Sequence, residues 1–529
     1  MRRRDVLAAI SVMATSGSPL CTPHIARATT AQPLRLVPHA DLANFDPIWN
    51  PAYIARNAGM LAWDTLYGVD PALQPQRQMV EAEEVSAEGK VWTFRLRPGL
   101  MFHDGEPVLA RDAVASIRRW SARDPMGQMI RAVEAELVAM DDLTFRWTLR
   151  RPFPKMKLAL GKIATPCCFI MPERIARTDS ARQIDDYVGS GPMRFRREEW
   201  VPGARAVFER FDRYVPRPEP AAWMAGGKRI AVPRTEWVTI PDAATASAAL
   251  LNGEVDWWER VVQDLAPMLA RNGNVVVRPQ DEYGFVGLLL FNHVQPPFND
   301  VLARWALLMA LNQADYMRAI VGDDQRLWQT MPGFFPRRAR LFTDAGGEIL
   351  TGPRSIDAAR KALAESGYRG EPIVLMAAQD IAYYKAFGDL TADMLRQLGA
   401  KVDYISVDWG TVVARRAKQA PPNRGGWNLY ITGISAMDCI DPGSKWLSAK
   451  GDLFVNGWAN SPAVQADIAA WYDATDETTE AATAKQLNEH ALRDAIYAPL
   501  GNYSVSSAWR KSVLGIQPAP MPFLWEVRV

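Results

Sequence analysis

The sequence predicts a multi-domain α/β protein on three observations: its length, a strict period of two in its first third, and alternating strand and helix signals in its second half. At 529 residues the chain exceeds what one compact core ordinarily encloses, so two or three domains are expected. Trp92, Phe94 and Leu96 alternate with Thr93, Arg95 and Arg97. Leu143, Phe145, Trp147 and Leu149 alternate with Thr144, Arg146 and Thr148. Such alternation marks half-buried strands with one wet face. Asp141-Asp142 supplies a turn before the second strand. Both strands are assigned to one small antiparallel sheet within residues 80–190.

The second half reads differently. Asn299-Asp300 can cap a helix whose apolar side carries Val301, Trp305, Leu308 and Met309. Ser355 can cap another that ends at Gly367. Ile373 to Met376 is an apolar strand, Ile381 to Leu398 a helix stopped by Gly399, and Lys401 to Val407 and Asn428 to Thr432 are further strands. This order predicts an α/β lobe with a largely parallel sheet. Pro- and Gly-rich joints at Val215–Pro220, Gln295–Pro297 and Pro421–Gly426 are too short for free linkers, so the lobes should pack closely.

Composition narrows the function. The chain is 48% hydrophobic and 23% charged with a formal net charge of +2, which gives no electrostatic case for nucleic acid or an acidic membrane surface. Arg2-Arg3-Arg4, an apolar run from Val6 to Leu20 and Ala26-Arg27-Ala28 describe an export signal over residues 1–28. Arg3-Arg4-Asp5-Val6-Leu7 also fits a twin-arginine signal. Cleavage after Ala28 removes Arg2, Arg3, Arg4 and Arg27 against Asp5, taking the charge from +2 to −1. Cys167, Cys168 and Cys439 remain, an odd number that argues against a disulfide framework. Cys21 lacks the small residues before it that a lipid anchor needs, and no other stretch is long and apolar enough to span a bilayer.

The segment Val91 to Trp120 holds the most specific pattern: Phe94, Leu96, Arg97, Gly99, Phe102, Asp104, Gly105, then Ala110 and Asp112, with Ala113-Val114 in place of the expected pair. Others follow in order. They are Phe45-Asp46-Pro47, Trp63-Asp64-Thr65-Leu66-Tyr67, Gly189-Ser190-Gly191-Pro192 with Trp200 and Gly203, Phe211-Asp212-Arg213-Tyr214, Leu250 to Asp256, Leu290 to Asp300, Ala358 to Tyr368, and Asp438-Cys439-Ile440-Asp441-Pro442. Singly, each has a bland reading as a turn, cap or stiff loop. As an ordered series they resemble the bacterial solute-binding proteins of family 5, which serve ABC importers for dipeptides, oligopeptides and nickel.

That resemblance implies a two-lobed periplasmic-binding-protein-like α/β fold of the class II type, with an extra small domain on the first lobe. Lobe I would comprise residues 29–80, 190–290 and 502–529, the accessory subdomain 81–189, and lobe II 291–501. The chain would cross near Phe291 and return near Asn502. A monomer in the periplasm would close on a small-molecule or peptide ligand by hinge motion. It would then deliver the ligand to inner-membrane permease subunits served by a separate ATPase, with no cofactor, no metal and no catalysis.

In peptide binders of the family an aspartate just ahead of a D-P pair receives the ligand ammonium, which carries over to Asp438, with Ser435 in the segment before it. A carboxylate in a closing, low-dielectric cleft suits that task. The aromatic that commonly precedes this aspartate is missing from Gly433 to Met437. Trp427 and Tyr430 are the nearest substitutes, and the departure favours an amine-bearing solute over a strict dipeptide. Asn44, Phe45 and Tyr283 fall where first-lobe segments approach the cleft, and Trp409 ends a strand in the second lobe, a common ligand position in α/β lobes. Arg337, Arg338, Arg415 and Arg416 are open candidates for a ligand carboxylate.

Rival readings are a metal-chelate carrier, a secreted hydrolase and a sensor or chaperone of the same fold. His39, His103, His293 and His490 are scattered without ligand spacing, and Met437 with Cys439 is a soft pair but not a site. There is no G-x-S-x-G elbow, H-E-x-x-H helix or G-x-x-x-x-G-K-S/T loop.

Overall fold

The computed structural model describes residues 32–529; the expected export signal lies outside the described residues. Two large sheets organise the chain. The first has seven strands in the order Val275–Pro279, Ser506–Arg510, Trp257–Trp258, Leu34–Val37, Arg234–Val238, Arg205–Arg210 and Met193–Phe195. The second has six, in the order Trp328–Gln329, Tyr497–Tyr503, Phe285–Phe291, Leu429–Ser435, Ile373–Ala378 and Val402–Val407. Phe285–Phe291 is buried at every position, as its unbroken apolar sequence FVGLLLF requires of a strand covered on both faces.

The second sheet is mixed, which corrects the expectation of a largely parallel one. Ile373–Ala378 runs parallel to both Val402–Val407 and Leu429–Ser435, but Phe285–Phe291 is antiparallel to both of its neighbours and Trp328–Gln329 is antiparallel to Tyr497–Tyr503. The alternating helices account only for the parallel part. The antiparallel part is built by strands brought together from opposite ends of the segment. The crossing point also moves. Phe285–Phe291 and Tyr497–Tyr503 both belong to the second sheet, so the chain changes sheets at 280–284 and 504–505 rather than at Phe291 and Asn502.

Both alternating strands form as expected. Val91–Leu96 and Thr144–Leu149 pair in a four-stranded antiparallel sheet with Val80–Val85 and Glu134–Ala139. The Asp141 carboxylate accepts the Leu143 and Thr144 amides and so shapes the turn. Ser355 and Asp300 cap their helices through the amides of Ala358 and Leu302. No helix among the described residues is long and apolar enough to cross a membrane.

The residues of the Val91–Trp120 pattern fasten this part of the fold. Gly99 and Gly105 have φ of 78° and 97°, where a side chain is strained. The Asp112 carboxylate accepts the amides of Leu109 and Glu173, which starts the helix Ala110–Ser121 and ties it to the short helix Glu173–Ala176. Arg97 donates to the carbonyls of Gln78 and Val215. Asp64 is buried with Lys228 at 2.8 Å and Tyr214 at 2.7 Å, so two further matched segments meet in one buried ion pair.

Candidate ligand-binding site

Three strand ends meet where the chain changes sheets: Phe285 stands in register with Ser435 on one side and Tyr503 on the other. Beyond Ser435 the chain turns into a short 3-10 helix, Ala436–Cys439, started by the Ser435 hydroxyl accepting the Met437 amide. The Ala436 amide donates to the Gly284 carbonyl at 2.9 Å and pins this turn to the connection between the sheets. Gly284 has a φ of 70°, and a Cβ there would lie 2.2 Å from the Tyr503 carbonyl oxygen. The turn brings Asp438 to the same place.

Asp438 is 8% exposed. Its Oδ2 accepts a hydrogen bond of 2.5 Å from the Tyr53 hydroxyl, and the Tyr53 oxygen accepts the Ser435 amide at 2.9 Å. Tyr53 opens the helix Tyr53–Ala62, which packs on the first sheet, so this bond joins elements of both sheets. Asp438 Oδ1 is buried and has no hydrogen-bond partner among the described residues. A buried carboxylate oxygen left unpaired is costly.

Asp438 borders a small cavity of about 30 Å³, with Met126, Lys162 and Thr165 on one wall and Asp441 and Lys445 on the other. Lys162 is saturated: it pairs with Asp124 at 2.7 Å and donates to the carbonyls of Ala164 and Pro166. Burial pushes the Asp441 carboxyl up to about 6. Burial pushes the Lys445 ammonium down, against the pull of Asp438. A wider groove of about 500 Å³ beside the helix Ala110–Ser121 shares no lining residue with this cavity.

The other expected site residues divide. Ser435 lies beside Asp438, but its hydroxyl is used in capping. Trp427 and Tyr430 are fully buried, pack edge to face with ring centroids 5.1 Å apart and donate to the carbonyls of Arg416 and Val455. They are core residues and do not replace the missing aromatic. Phe45 is likewise core, packed on Trp63 and Phe195 at 4.7 Å. Asn44 accepts a hydrogen bond from Asn50 within its own loop. Tyr283 is half-buried in the 280–284 connection. Trp409 is half-buried on an aromatic ridge with Tyr384 at 5.2 Å, and Tyr383 stands 4.8 Å from Tyr384. The four arginines named for a carboxylate are engaged elsewhere. Arg337 donates to the Thr330 carbonyl, Arg338 pairs with Glu282, Arg415 holds the Gly426 carbonyl and Arg416 lies over the Trp409 and Tyr430 rings. Sequence reasoning missed Tyr53 and Lys162, which come to Asp438 from far along the chain, and Lys445, which follows it seven residues on.

His103 is held near 4 by burial and fastens the Gly189–Gly191 turn, accepting the Gly189 amide and facing the Gly191 carbonyl. Ser190 of that turn is buried, donating to the Ile170 carbonyl and accepting the Asp64 amide, so it is no nucleophile. No cluster of three His, Cys, Asp or Glu side chains suited to a metal occurs among the described residues.

Residues 74–452 match the family described as bacterial extracellular solute-binding proteins, family 5. The chain belongs to that family. It is a solute-binding protein and not an enzyme. Over 519 residues, 97% of each chain, it is 32% identical to a probable peptide ABC transporter periplasmic-binding protein, y4tO, of Sinorhizobium fredii. It is 24% identical over 493 residues, 90% of each chain, to the glutathione-binding protein GsiB of Pectobacterium atrosepticum. Among solved structures, the dipeptide-binding protein of Pseudoalteromonas in complex with Met-Leu superposes with a TM-score of 0.78 at 18% identity, covering 94% of this chain and all of that one. The fold is therefore that of a two-lobed periplasmic binding protein.

Proposed function

We propose that this family 5 protein is the periplasmic capture component of an ABC importer for a peptide-like, amine-bearing solute, and that Asp438 receives the solute's ammonium. One observation carries the ligand role: Asp438 Oδ1 is buried, has no partner among the described residues and is set at a cavity between residues 125–165 and residues 437–446. An ammonium supplies the missing donor and the charge. The peptide carrier named among the relatives supports the class of cargo. In this reading the two sheets are the cores of hinged lobes and the four-stranded sheet belongs to an accessory subdomain of the first. Export by the twin-arginine route, a monomeric state and hand-over to a permease with a separate ATPase complete the proposal.

Native mass spectrometry of protein purified gently from a periplasmic extract tests it directly. A bound mass that is lost on denaturation and fragments as an amine is the expected result. A metal or an amine-free solute refutes the Asp438 role. With an amine ligand in hand, Asp438→Ala should weaken binding by about 1.5–3 kcal/mol, the scale of a charged hydrogen bond. Calorimetry showing undiminished affinity removes Asp438 from the site.

A further inference from the structure

Asp438 shares its cavity with a second unpaired charge. Lys445 is half-buried on the same wall. Its ammonium makes no hydrogen bond or ion pair among the described residues and stands 5.6 Å from the centre of the Trp446 ring. Lys162, on the facing wall, is consumed by Asp124 and two carbonyls, so it offers no free donor. Lys445 and Asp438 line one cavity of about 30 Å³ without closing on each other. A cation and an anion so near, and both left open, suit a ligand that carries both opposite charges close together.

We propose that Lys445 forms an anion subsite next to the ammonium subsite of Asp438, so that the preferred solute presents an ammonium and a carboxylate on one carbon, a free α-amino-acid head. This rests on the Asp438 reading and narrows it. An ordinary peptide N-terminus brings an ammonium followed by an amide carbonyl, which leaves Lys445 unanswered. An α-amino-acid head answers both charges. Burial lowers the Lys445 ammonium in the present arrangement, and a carboxylate beside it relieves that penalty.

The test uses isomers of equal composition. A pool of γ-glutamyl dipeptides carries an intact α-amino-acid head, whereas the matching α-glutamyl pool carries the ammonium with its carboxylates displaced. Titration calorimetry on the full mature chain should show the γ pool binding about tenfold or more tightly, the effect of one charge-assisted contact. Lys445→Gln should erase that preference while keeping measurable binding of both pools, and Asp438→Asn should weaken both alike. Equal binding of the two pools by the wild type overturns the Lys445 subsite and leaves Asp438 standing. Tighter binding of both pools by Lys445→Gln also overturns it, because Lys445 is then an internal counter-ion that competes with the ligand. Binding of neither pool by the wild type overturns this inference, and the amine reading is then decided by the native mass spectrum alone.

Discussion

Tyr53 joins the two sides of the cleft through one oxygen, donating to Asp438 and accepting from Ser435. Tyr53→Phe keeps the ring and removes both bonds, leaving the Ser435 amide without this acceptor and Asp438 with two bare oxygens. The loss falls on the closed arrangement, because in an open cleft water replaces the tyrosine. Ligand affinity should fall by about 1–3 kcal/mol while the melting temperature of the ligand-free protein moves little, and calorimetry beside thermal melts separates the two. Asp441 carries a pH signature. Its carboxyl is raised from an ordinary 3.8 to about 6 by burial, so the folded protein holds a proton that the unfolded chain releases. The contribution of Asp441 to stability is therefore fully present below pH 4, declines between pH 4 and 6, and is lost above pH 6. Asp281, also raised to about 6 by burial, adds a second contribution of the same sign. Asp441→Asn should reduce the decline and raise stability at pH 7; denaturant melts at pH 4, 5, 6 and 7 giving an unaltered slope contradict it. Asp438 was legible in the sequence because an ordered series of motifs placed it. Tyr53 and Lys445 were not, because Tyr53 lies 385 positions away and Lys445 in a stretch with no pattern of its own.

At the scale of elements, Arg97, Asp112, Asp64, Gly189 and Gly191, which carry the family resemblance, build the scaffold. Gly189 and Gly191 pack edge-on against the end of the helix Tyr53–Ala62, and a Cβ on Gly189 would lie 1.8 Å from the Ala62 carbonyl oxygen. Gly189→Ala therefore has to displace backbone, and His103, which accepts the Gly189 amide, moves with it. The expected loss is about 3 kcal/mol, the upper range for overpacking, read as a lower midpoint in urea; an unchanged midpoint means the turn relaxes freely. Strands with period two and capped helices were legible because their causes are local. The sheet that Phe285–Phe291 joins is not legible in the sequence because its partners, Leu429–Ser435 and Tyr497–Tyr503, come from far along the chain, and an apolar run records burial without naming its neighbours. Trp427 and Tyr430 were misplaced for a related reason. An aromatic near Asp438 in sequence can face the core on the same strand, and both do, their polar atoms spent on carbonyls.

The whole molecule is held with its walls in contact, and the bonds across them lie well beyond the Asp438 cavity. The Lys155 ammonium donates to the Ala474 carbonyl at 2.7 Å and pairs with Glu480, Arg151 pairs with Asp473, and the Phe153 ring lies 5.5 Å from that of Tyr472. These residues join the segment after the four-stranded sheet to the helices Pro462–Asp473 and Glu477–Arg493. A hinge that opens the cleft must break this group, so its strength sets the balance between open and closed forms. Lys155→Met tests that balance without leaving a bare charge, because Glu480 keeps Arg340 as a partner. The side chain keeps its packing against Trp471, where the ammonium now stands 5.2 Å from the ring. The open form should gain population, and the apparent affinity for any solute should fall in proportion to the closed-competent fraction lost. Small-angle scattering of the ligand-free variant should report a larger radius of gyration than the wild type, and saturating ligand should restore the compact value. The melting temperature should shift little, since the bonds removed join one wall to the other rather than hold either sheet together. Scattering and affinity both unchanged would mean that Lys155 sits in permanent packing and that any closure pivots elsewhere.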